Sequence, residues 1–397
     1  MPNLEPSPKR LKRQVIARTH TFFAITPPGV ESICANELKS LPIGPAHIKV
    51  LPGGVEFKER LTGCYLANLC LRTPIRILMR LTAFKATNFR QLEAKSNQVP
   101  WELYLSPQLE RLFSVKSSRS RLVHSKAISE HLEAVIRHRL PSTSSDNLAI
   151  DSQVDPQRIF VRIVDDRVVI SLDSSGPLLF RRGLKQDVGP APIRETLAAA
   201  ILTLAGYDGS QILLDPMCGS GSFSLEAAMI ARNIPPGAYR QFAFMNWPAF
   251  RDAHWRHLKQ TAMAQIRPAQ AETVYASDLD AKRVRALNHI TAQSDLSATI
   301  RVACQDFFML NPQKITPKPG IVVLNPPYGV RLRPKNNPKQ FYQKIRQKLV
   351  SDYRDWHMAL LVKDQVVSRQ FPKKLHRIGI NHGGIDLLLI YGVIKTS

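Results

Sequence analysis

Hydrophobic and polar positions follow two different patterns along the chain. Beyond Gly183, runs of consecutive apolar residues alternate with longer stretches of helical periodicity. The apolar runs cover residues 212–214, 274–276, 321–324 and 357–362. Buried parallel strands alternate with helices in this way, so the pattern predicts an α/β fold with a doubly wound, Rossmann-like sheet over residues 185–397.

The first half of the chain has shorter elements. A strand-like run at 22–26 leads through a Pro-Pro-Gly turn into an amphipathic stretch at 30–38. A hairpin pattern at 50–57 and helical periodicity over 61–70 complete a small α+β subdomain over residues 20–71. Short strands at 75–81, 112–115, 159–164 and 168–172, mixed with helices, predict a second α+β domain over residues 72–180.

Residues 1–19 are polar and basic, with Lys9, Arg10, Lys12 and Arg13 clustered. We find nothing in this stretch that fills a core, which predicts a flexible basic arm. A nuclear address, an RNA-contacting tail and plain solvated charge all fit such a segment.

Composition narrows the class of protein. Lys and Arg outnumber Asp and Glu by 55 to 31, which gives a net charge of +24. This field attracts nucleic acid or anionic lipid, although a need for solubility produces similar compositions. No apolar stretch is long enough to span a membrane and the N-terminus has no apolar signal core, so we expect a cytoplasmic protein. Five scattered cysteines without a paired spacing argue for reduced thiols and against a metal site.

A glycine-rich turn follows the first apolar run. Asp215 ends the strand, and Cys218, Gly219 and Gly221 precede a helix that begins near Ser222. Glycines permit a tight turn and a close approach of backbone to a small ligand. The third glycine of a dinucleotide fingerprint is missing, which disfavours nicotinamide and flavin cofactors. A turn that only joins strand to helix is the alternative.

Aspartates also end the next two strands. Asp278 is placed to accept hydrogen bonds from both ribose hydroxyls of an adenosine ligand, and Asp280 is expected to cap the following helix. Asp306 follows a third strand and is a candidate partner for the adenine amino group, although such aspartates often only cap a turn.

The most specific chemistry lies in Asn325, Pro326, Pro327 and Tyr328, directly after the apolar strand 321–324. Two prolines restrict the loop, so the side-chain oxygen of Asn325 and the carbonyl of Pro326 can both accept from one planar amino group. Tyr328 can stack on the base that carries this group. Orienting the amine toward an electrophilic methyl group needs no strong base.

These three motifs, in this order, resemble those of class I S-adenosylmethionine-dependent methyltransferases that act on amines. Residues 181–198 resemble the lead-in of THUMP-associated RNA methylases, residues 113–140 are similar to a THUMP domain core, and residues 20–70 resemble its ferredoxin-like companion. The resemblance is to the bacterial 23S rRNA guanine-N2 methyltransferases with an N-terminal THUMP domain. It implies S-adenosylmethionine as cofactor, with Asp215, Cys218, Gly219, Gly221, Asp278, Asp306 and Asn325 around it, and N2-methylguanosine as product. Members of that family often carry Gly-Glu-Arg after the tyrosine, where this chain has Gly329, Val330 and Arg331.

Two groups of basic residues are candidates for holding structured RNA. One lies just beyond the proposed target loop and includes Arg331, Arg333 and Lys335; the other lies in the middle domain and includes Lys116, Arg119 and Arg121. A solvated basic face is the alternative for each group.

Several functions share these residues. A tRNA guanine, a protein glutamine amide and a DNA adenine are alternative substrates, and the basic first half favours RNA over the last two. A non-catalytic RNA-binding factor for ribosome assembly is the non-enzyme hypothesis. The sequence leaves the oligomeric state open.

Overall fold

The computed structural model describes residues 6–44, 46–140, 155–184, 193–269, 272–327, 338–363 and 365–395. The chain forms two compact units. The N-terminal unit contains residues 1–26, 34–179 and 240–261, and the C-terminal unit contains residues 27–33, 180–239 and 262–397.

The N-terminal unit is built on one seven-stranded sheet in the order β2-β3-β1-β4-β7-β6-β5. Its strands are β1 His20–Ile25, β2 Ala46–Leu51, β3 Gly54–Glu59, β4 Arg76–Lys85, β5 Arg111–Ser118, β6 Gln157–Val164 and β7 Arg167–Asp173. The β5–β6 pair is parallel and the other pairs are antiparallel. Since β1 pairs with β4, regions 20–71 and 72–180 share a sheet, and the domain boundary drawn between them stays a prediction.

The first part of the chain also forms α-helices. They are α1 Pro8–Leu11, α2 Glu31–Lys39, α3 Leu61–Cys70, α4 Phe89–Ser96 and α5 Ser125–Arg139. Alternate strand residues form a buried face, to which Phe22, Phe57 and Met79 each contribute a fully buried side chain. The predicted strands and the helices at 30–38 and 61–70 are therefore present.

The chain start differs from the predicted flexible arm. Helix α1 continues into a π-helical turn, Lys12–Ile16, and both Leu11 and Val15 are buried. Arg10 forms a 2.7 Å ion pair with Glu102. Two apolar residues four positions apart lie on one helix face, and this was enough to dock a segment whose composition is otherwise polar.

A segment from the second half of the sequence packs within the N-terminal unit. The ring of Phe244 stacks on Tyr65 with centroids 4.3 Å apart. The indole N–H of Trp247 donates to the side-chain oxygen of Gln157 at 2.9 Å. The helix that follows, α8 Asp252–Met263, buries Trp255. Residues 240–261 therefore complete the core of this unit.

The C-terminal unit contains a second seven-stranded sheet in the order β10-β9-β8-β11-β12-β14-β13. Its strands are β8 Leu213–Asp215, β9 Val274–Asp278, β10 Ile300–Cys304, β11 Ile321–Leu324, β12 His357–Val362, β13 His376–His382 and β14 Ile385–Val393. Strands β8 to β12 pair in parallel, while β14 is antiparallel to both β12 and β13. The Rossmann-like sheet is confirmed, and the β13–β14 hairpin is an addition to it.

Both faces of this sheet are covered, as expected for a doubly wound fold. Along β11, Ile321 and Val323 join one core with residues of α6 Glu195–Leu204 and α7 Ser222–Ala231. Val322 and Leu324 join the opposite core with residues of α10 Pro338–Asp352. The remaining helices are α9 Ala281–Ala292 and α11 Gln365–Ser368. Across the described residues, no helix is long and apolar enough to cross a membrane.

Candidate active site

The order of the parallel strands brings the predicted site residues to one edge of the sheet. Strands β10, β9, β8 and β11 are consecutive neighbours, and each is followed at its carboxyl end by part of a predicted motif. Ligands of open α/β sheets bind beyond these ends, at the point where the strand order reverses. Here the reversal lies between β8 and β11, which are followed by the glycine turn and by Asn325.

Hydrogen bonds tie the glycine turn to the end of β9. The backbone N–H of Gly219 donates to Oδ2 of Asp278 at 2.9 Å, and that of Cys218 donates to the carbonyl of Ser277 at 2.9 Å. Gly219 and Gly221 both have positive φ, at 55° and 75°. A Cβ on Gly221 would lie 2.4 Å from Cδ1 of Leu287 in α9. Helix packing as well as ligand approach therefore demands glycine at position 221.

Asp215, at the end of β8, links this turn to the helix that follows it. Its residue is 0% exposed, and its Oδ2 accepts a 2.6 Å hydrogen bond from the hydroxyl of Ser224 in the first turn of α7. The carboxylate thus fixes the start of the helix relative to the strand. The contact with Ser224 was not foreseen from the sequence.

Cys218 is buried in the turn and remains a thiol. Burial raises its pKa well above the ordinary cysteine value, and the negative charges of Asp215 and Asp278 act in the same direction. A thiol with a raised pKa is a poor nucleophile. Cys218 therefore shapes the turn and does not form a covalent intermediate.

The acidic residues after β9 and β10 have distinct environments. Asp278 is half-buried, and its second oxygen, Oδ1, accepts from the backbone N–H of Asp280 at 2.9 Å. Asp280 accepts from the N–H of Lys282 and caps α9, as predicted. Asp306 accepts from the N–H of Phe308 at 2.9 Å and caps a short 3-10 turn.

Two exposed apolar side chains flank these aspartates. Leu279 is 70% exposed directly after Asp278, and Met309 is 77% exposed three positions after Asp306. Both follow the carboxyl ends of the adjacent strands β9 and β10. Sequence reasoning missed them, since single apolar residues in loops carry no periodicity.

Asn325 presents an acceptor at the end of β11. Its Oδ1 is buried and makes no hydrogen bond with any described residue. Pro326 is buried and Pro327 is exposed. Tyr328 lies outside the described residues. A buried amide oxygen that lacks a partner costs free energy unless a ligand supplies the donor.

An ion pair holds the lead-in segment to α7. The guanidinium of Arg182 donates to both carboxylate oxygens of Glu226, at 3.2 and 3.4 Å, and both side chains are buried. Gly183 has a φ of 86° and leaves no room for a Cβ against the carbonyl of Tyr239. Residues 185–192 of the predicted lead-in lie outside the described part.

The predicted RNA-binding residues have different surroundings. Lys116 is exposed on β5. Arg119 is exposed but paired with Asp165 at 2.8 Å, and the backbone N–H of Arg121 donates to Asp166. Arg331, Arg333 and Lys335 lie outside the described residues. Within the described part, no group of three or more His, Cys, Asp or Glu is arranged to hold a metal ion.

Comparison with known proteins assigns this site to a family. A family model described as "RMKL-like, methyltransferase domain" matches residues 182–387, which is more than half of the chain. The chain belongs to the RMKL-like methyltransferase family. A second model, for the RlmL ferredoxin-like domain, matches residues 21–78 of the same protein.

Similarity over most of the chain extends to individual proteins. The RMKL-like chain is 31% identical to slr0064 of Synechocystis sp., provisionally named an RNA methyltransferase, over 94% of this chain and 97% of that protein. It is 33% identical to the ribosomal RNA large subunit methyltransferase K/L of Methylococcus capsulatus, over 86% of this chain and 47% of that one. The chain thus spans about half the length of this K/L relative. The solved structure of SMU.472, provisionally named a methyltransferase and complexed with SAH, has a TM-score of 0.84, 26% identity, and coverage of 96% of this chain and 99% of that one.

S-adenosylmethionine is the cofactor of this methyltransferase, and the residues at the sheet edge fit it. Asp278 offers carboxylate lone pairs for ribose hydroxyls, and the exposed Leu279 and Met309 offer apolar surface for a flat adenine ring. The Gly219 and Gly221 turn gives backbone access at the N-terminus of α7. These residues would hold the cofactor between the ends of β8, β9 and β10.

Proposed function

We propose that the protein is an RNA methyltransferase that modifies the exocyclic N2 amine of a guanosine, with 23S rRNA as the substrate. The observation that carries the proposal is the buried Oδ1 of Asn325, which has no hydrogen-bond partner among the described residues. An exocyclic amine is a planar donor that satisfies such an oxygen. The family match and the sequence of the 325–328 loop support the same chemistry.

The chain's own residues contribute mainly orientation. The cofactor, when bound, supplies an electrophilic methyl group. Asn325 and the carbonyl of Pro326 accept the two amine hydrogens, which fixes the direction of the nitrogen lone pair. Asp278 and the glycine turn set the position of the methyl donor through their mutual hydrogen bond. Holding two reacting groups in line contributes several kcal/mol to a rate without a strong base.

RNA as the substrate is supported by charge and by the names of relatives. The net charge of +24 suits a phosphate-rich ligand. Relatives with 31% and 33% identity carry the names of RNA and ribosomal RNA methyltransferases. A guanine in a duplex must be unstacked to reach a loop such as 325–328, which favours unpaired or immature RNA.

The deciding experiment identifies the methylated nucleoside. Purified protein, with radiolabelled S-adenosylmethionine, is incubated with total RNA from cells that lack the gene, and the RNA is fractionated and digested. We expect labelled N2-methylguanosine in large-subunit rRNA, and none with an Asn325→Ala variant. Label in tRNA would indicate a tRNA guanine as the substrate instead of 23S rRNA. Labelled N6-methyladenosine would overturn the guanine assignment. Tight RNA binding without any label would favour the assembly-factor hypothesis.

A further inference from the structure

One face of the N-terminal sheet carries a concentration of positive charge. Strand β6 alternates between buried residues and the exposed or half-buried Arg158, Phe160, Arg162 and Val164. Neighbouring strands add cations to the same face by their pairing register. We call this set the basic sheet face; its members are Lys85, Lys116, Arg158, Phe160, Arg162 and Arg167.

Like charges stand opposite one another across this face. Lys116 on β5 pairs with Arg162 on β6, and Lys85 on β4 pairs with Arg167 on β7. All four side chains are exposed, and none forms an ion pair with a described residue. Like charges directly opposite in a sheet are destabilising. An anionic ligand on this face would offset that repulsion.

A second row of arginines lies beside the first. Arg76 on β4 is paired with Asp173, and Arg80 forms a 2.8 Å ion pair with Glu56. Burial lowers the pKa of Arg76 to about 10, with the charge of Arg158 acting in the same direction. Burial also lowers the pKa of Arg80, with Glu56 acting against the shift and the charge of Arg162 acting with it. The charges of the two rows are therefore close enough to interact, with Asp173 and Glu56 offsetting the second row.

Aromatic rings lie between these cations. The guanidinium of Arg76 lies over the ring of Phe160, 5.4 Å from its centroid, and Phe160 is only half-buried. Arg80 lies over Phe23 in the same manner at 4.7 Å. Single-stranded nucleic acid is commonly bound by aromatic rings that stack on bases beside cations that contact phosphates.

We infer that the basic sheet face binds single-stranded RNA, with Arg158, Arg162 and Lys116 at phosphates and Phe160 stacked on a base. In a duplex the bases stack on each other, so none is free to stack on Phe160. The face should therefore bind single-stranded RNA more tightly than duplex RNA. The inference rests on the proposed RNA substrate. It adds a binding surface on β6 to the loop residues expected from the sequence.

The test measures binding of fluorescent RNA to the full-length protein. A labelled single-stranded oligoribonucleotide and the corresponding duplex are titrated at several salt concentrations. Arg158→Glu/Arg162→Glu is compared with Lys39→Glu/Lys314→Glu, which makes the same change in net charge at exposed lysines outside this face. We expect the first pair to weaken single-strand binding about tenfold or more and to lower the salt slope by about 0.7 for each lost phosphate contact, with little change for the second pair.

A separate variant tests the contribution of the Phe160 ring. Phe160→Leu keeps an apolar side chain but removes the ring, and should weaken single-strand binding about tenfold with the duplex unaffected. Unchanged thermal unfolding and SAH binding of each variant would show that its fold is intact.

Wild-type binding by Arg158→Glu/Arg162→Glu would overturn the inference, as would equal losses for single strand and duplex. If these arginines bound phosphatidylserine vesicles but not RNA, the ligand of this face would be an anionic lipid and the inference would be wrong. These titrations do not measure methylation, so failure of the proposed function would instead appear as unlabelled RNA with wild-type enzyme.

Discussion

The backbone N–H of Gly219 donates a 2.9 Å hydrogen bond to Oδ2 of Asp278, across two neighbouring strands of the C-terminal sheet. One carboxylate therefore has two tasks. It shapes the turn after β8, and it is the group that we expect to accept hydrogen bonds from the ribose hydroxyls. Loss of its charge should affect cofactor binding through both routes.

Asp278→Asn should weaken binding of S-adenosylmethionine and SAH. A hydrogen bond to a charged group contributes about 1.5–3 kcal/mol, so the loss should be about tenfold or more. Isothermal titration calorimetry measures it directly. The matched control is Asp280→Asn, because Asn is as good a helix cap as Asp and Asp280 caps α9. Equal losses in the two variants would contradict the assignment of Asp278.

Gly221→Ala should lower the free energy of unfolding more than Gly219→Ala does. Both positions have positive φ, which costs about 1–2 kcal/mol for alanine. A Cβ at 221 additionally meets Leu287 at 2.4 Å, whereas one at 219 meets only the flexible end of Arg283 at 3.4 Å. We expect an extra cost of about 1–3 kcal/mol at 221 in urea denaturation. The extra cost should shrink in a Leu287→Ala background, and its persistence there would place the strain elsewhere.

Asn325→Ala should lower kcat about 100-fold or more while leaving SAH affinity and RNA binding nearly unchanged, because it removes an acceptor used to orient the amine. Single-turnover kinetics with saturating cofactor measure this. Asn325→Asp keeps an acceptor oxygen and should retain more activity than the alanine variant. Asn36→Ala changes an exposed asparagine on α2, outside the site, and should behave as wild type. Near-normal turnover by Asn325→Ala would remove the basis of the proposed function.

Arg182→Ala should destabilise the protein by about 3–5 kcal/mol, because it removes the guanidinium that forms an ion pair with the buried Glu226 carboxylate. Replacing both residues, as Arg182→Met/Glu226→Leu, should cost less than the single change, since no buried charge remains. Urea denaturation of Arg182→Met, Glu226→Leu and the double variant, with the exposed Arg181→Ala as control, gives the coupling free energy. Additive effects of the single changes would show that the pair is not coupled.

The sequence predicted most of what local patterns determine. Strands β11 and β12 have the predicted bounds, because buried parallel strands are continuous apolar runs. The site motifs were found because each follows such a strand. The β13–β14 hairpin was missed: the edge strand β13 mixes polar and apolar residues, so no apolar run marks it as the partner of β14.

Contacts between distant segments could not be predicted from the sequence. The bond between Ser224 and Asp215, the pairing of Arg182 with Glu226, and the burial of Leu11 and Val15 depend on tertiary packing. The cationic face of β6 was also missed, because Arg158 and Arg162 join Lys116 only through the parallel pairing of β5 and β6.

Residues 240–261 determine when the N-terminal unit can finish folding during synthesis. They belong to the N-terminal unit, and Phe244 and Trp247 fill positions beside Tyr65 and Gln157. A ribosome that has released only the first 180 residues has therefore produced a sheet with part of its apolar core still missing. The N-terminal unit can reach its final packing only after much of the methyltransferase sequence has emerged, so a nascent chain stalled before residue 261 should bind chaperones through this exposed surface.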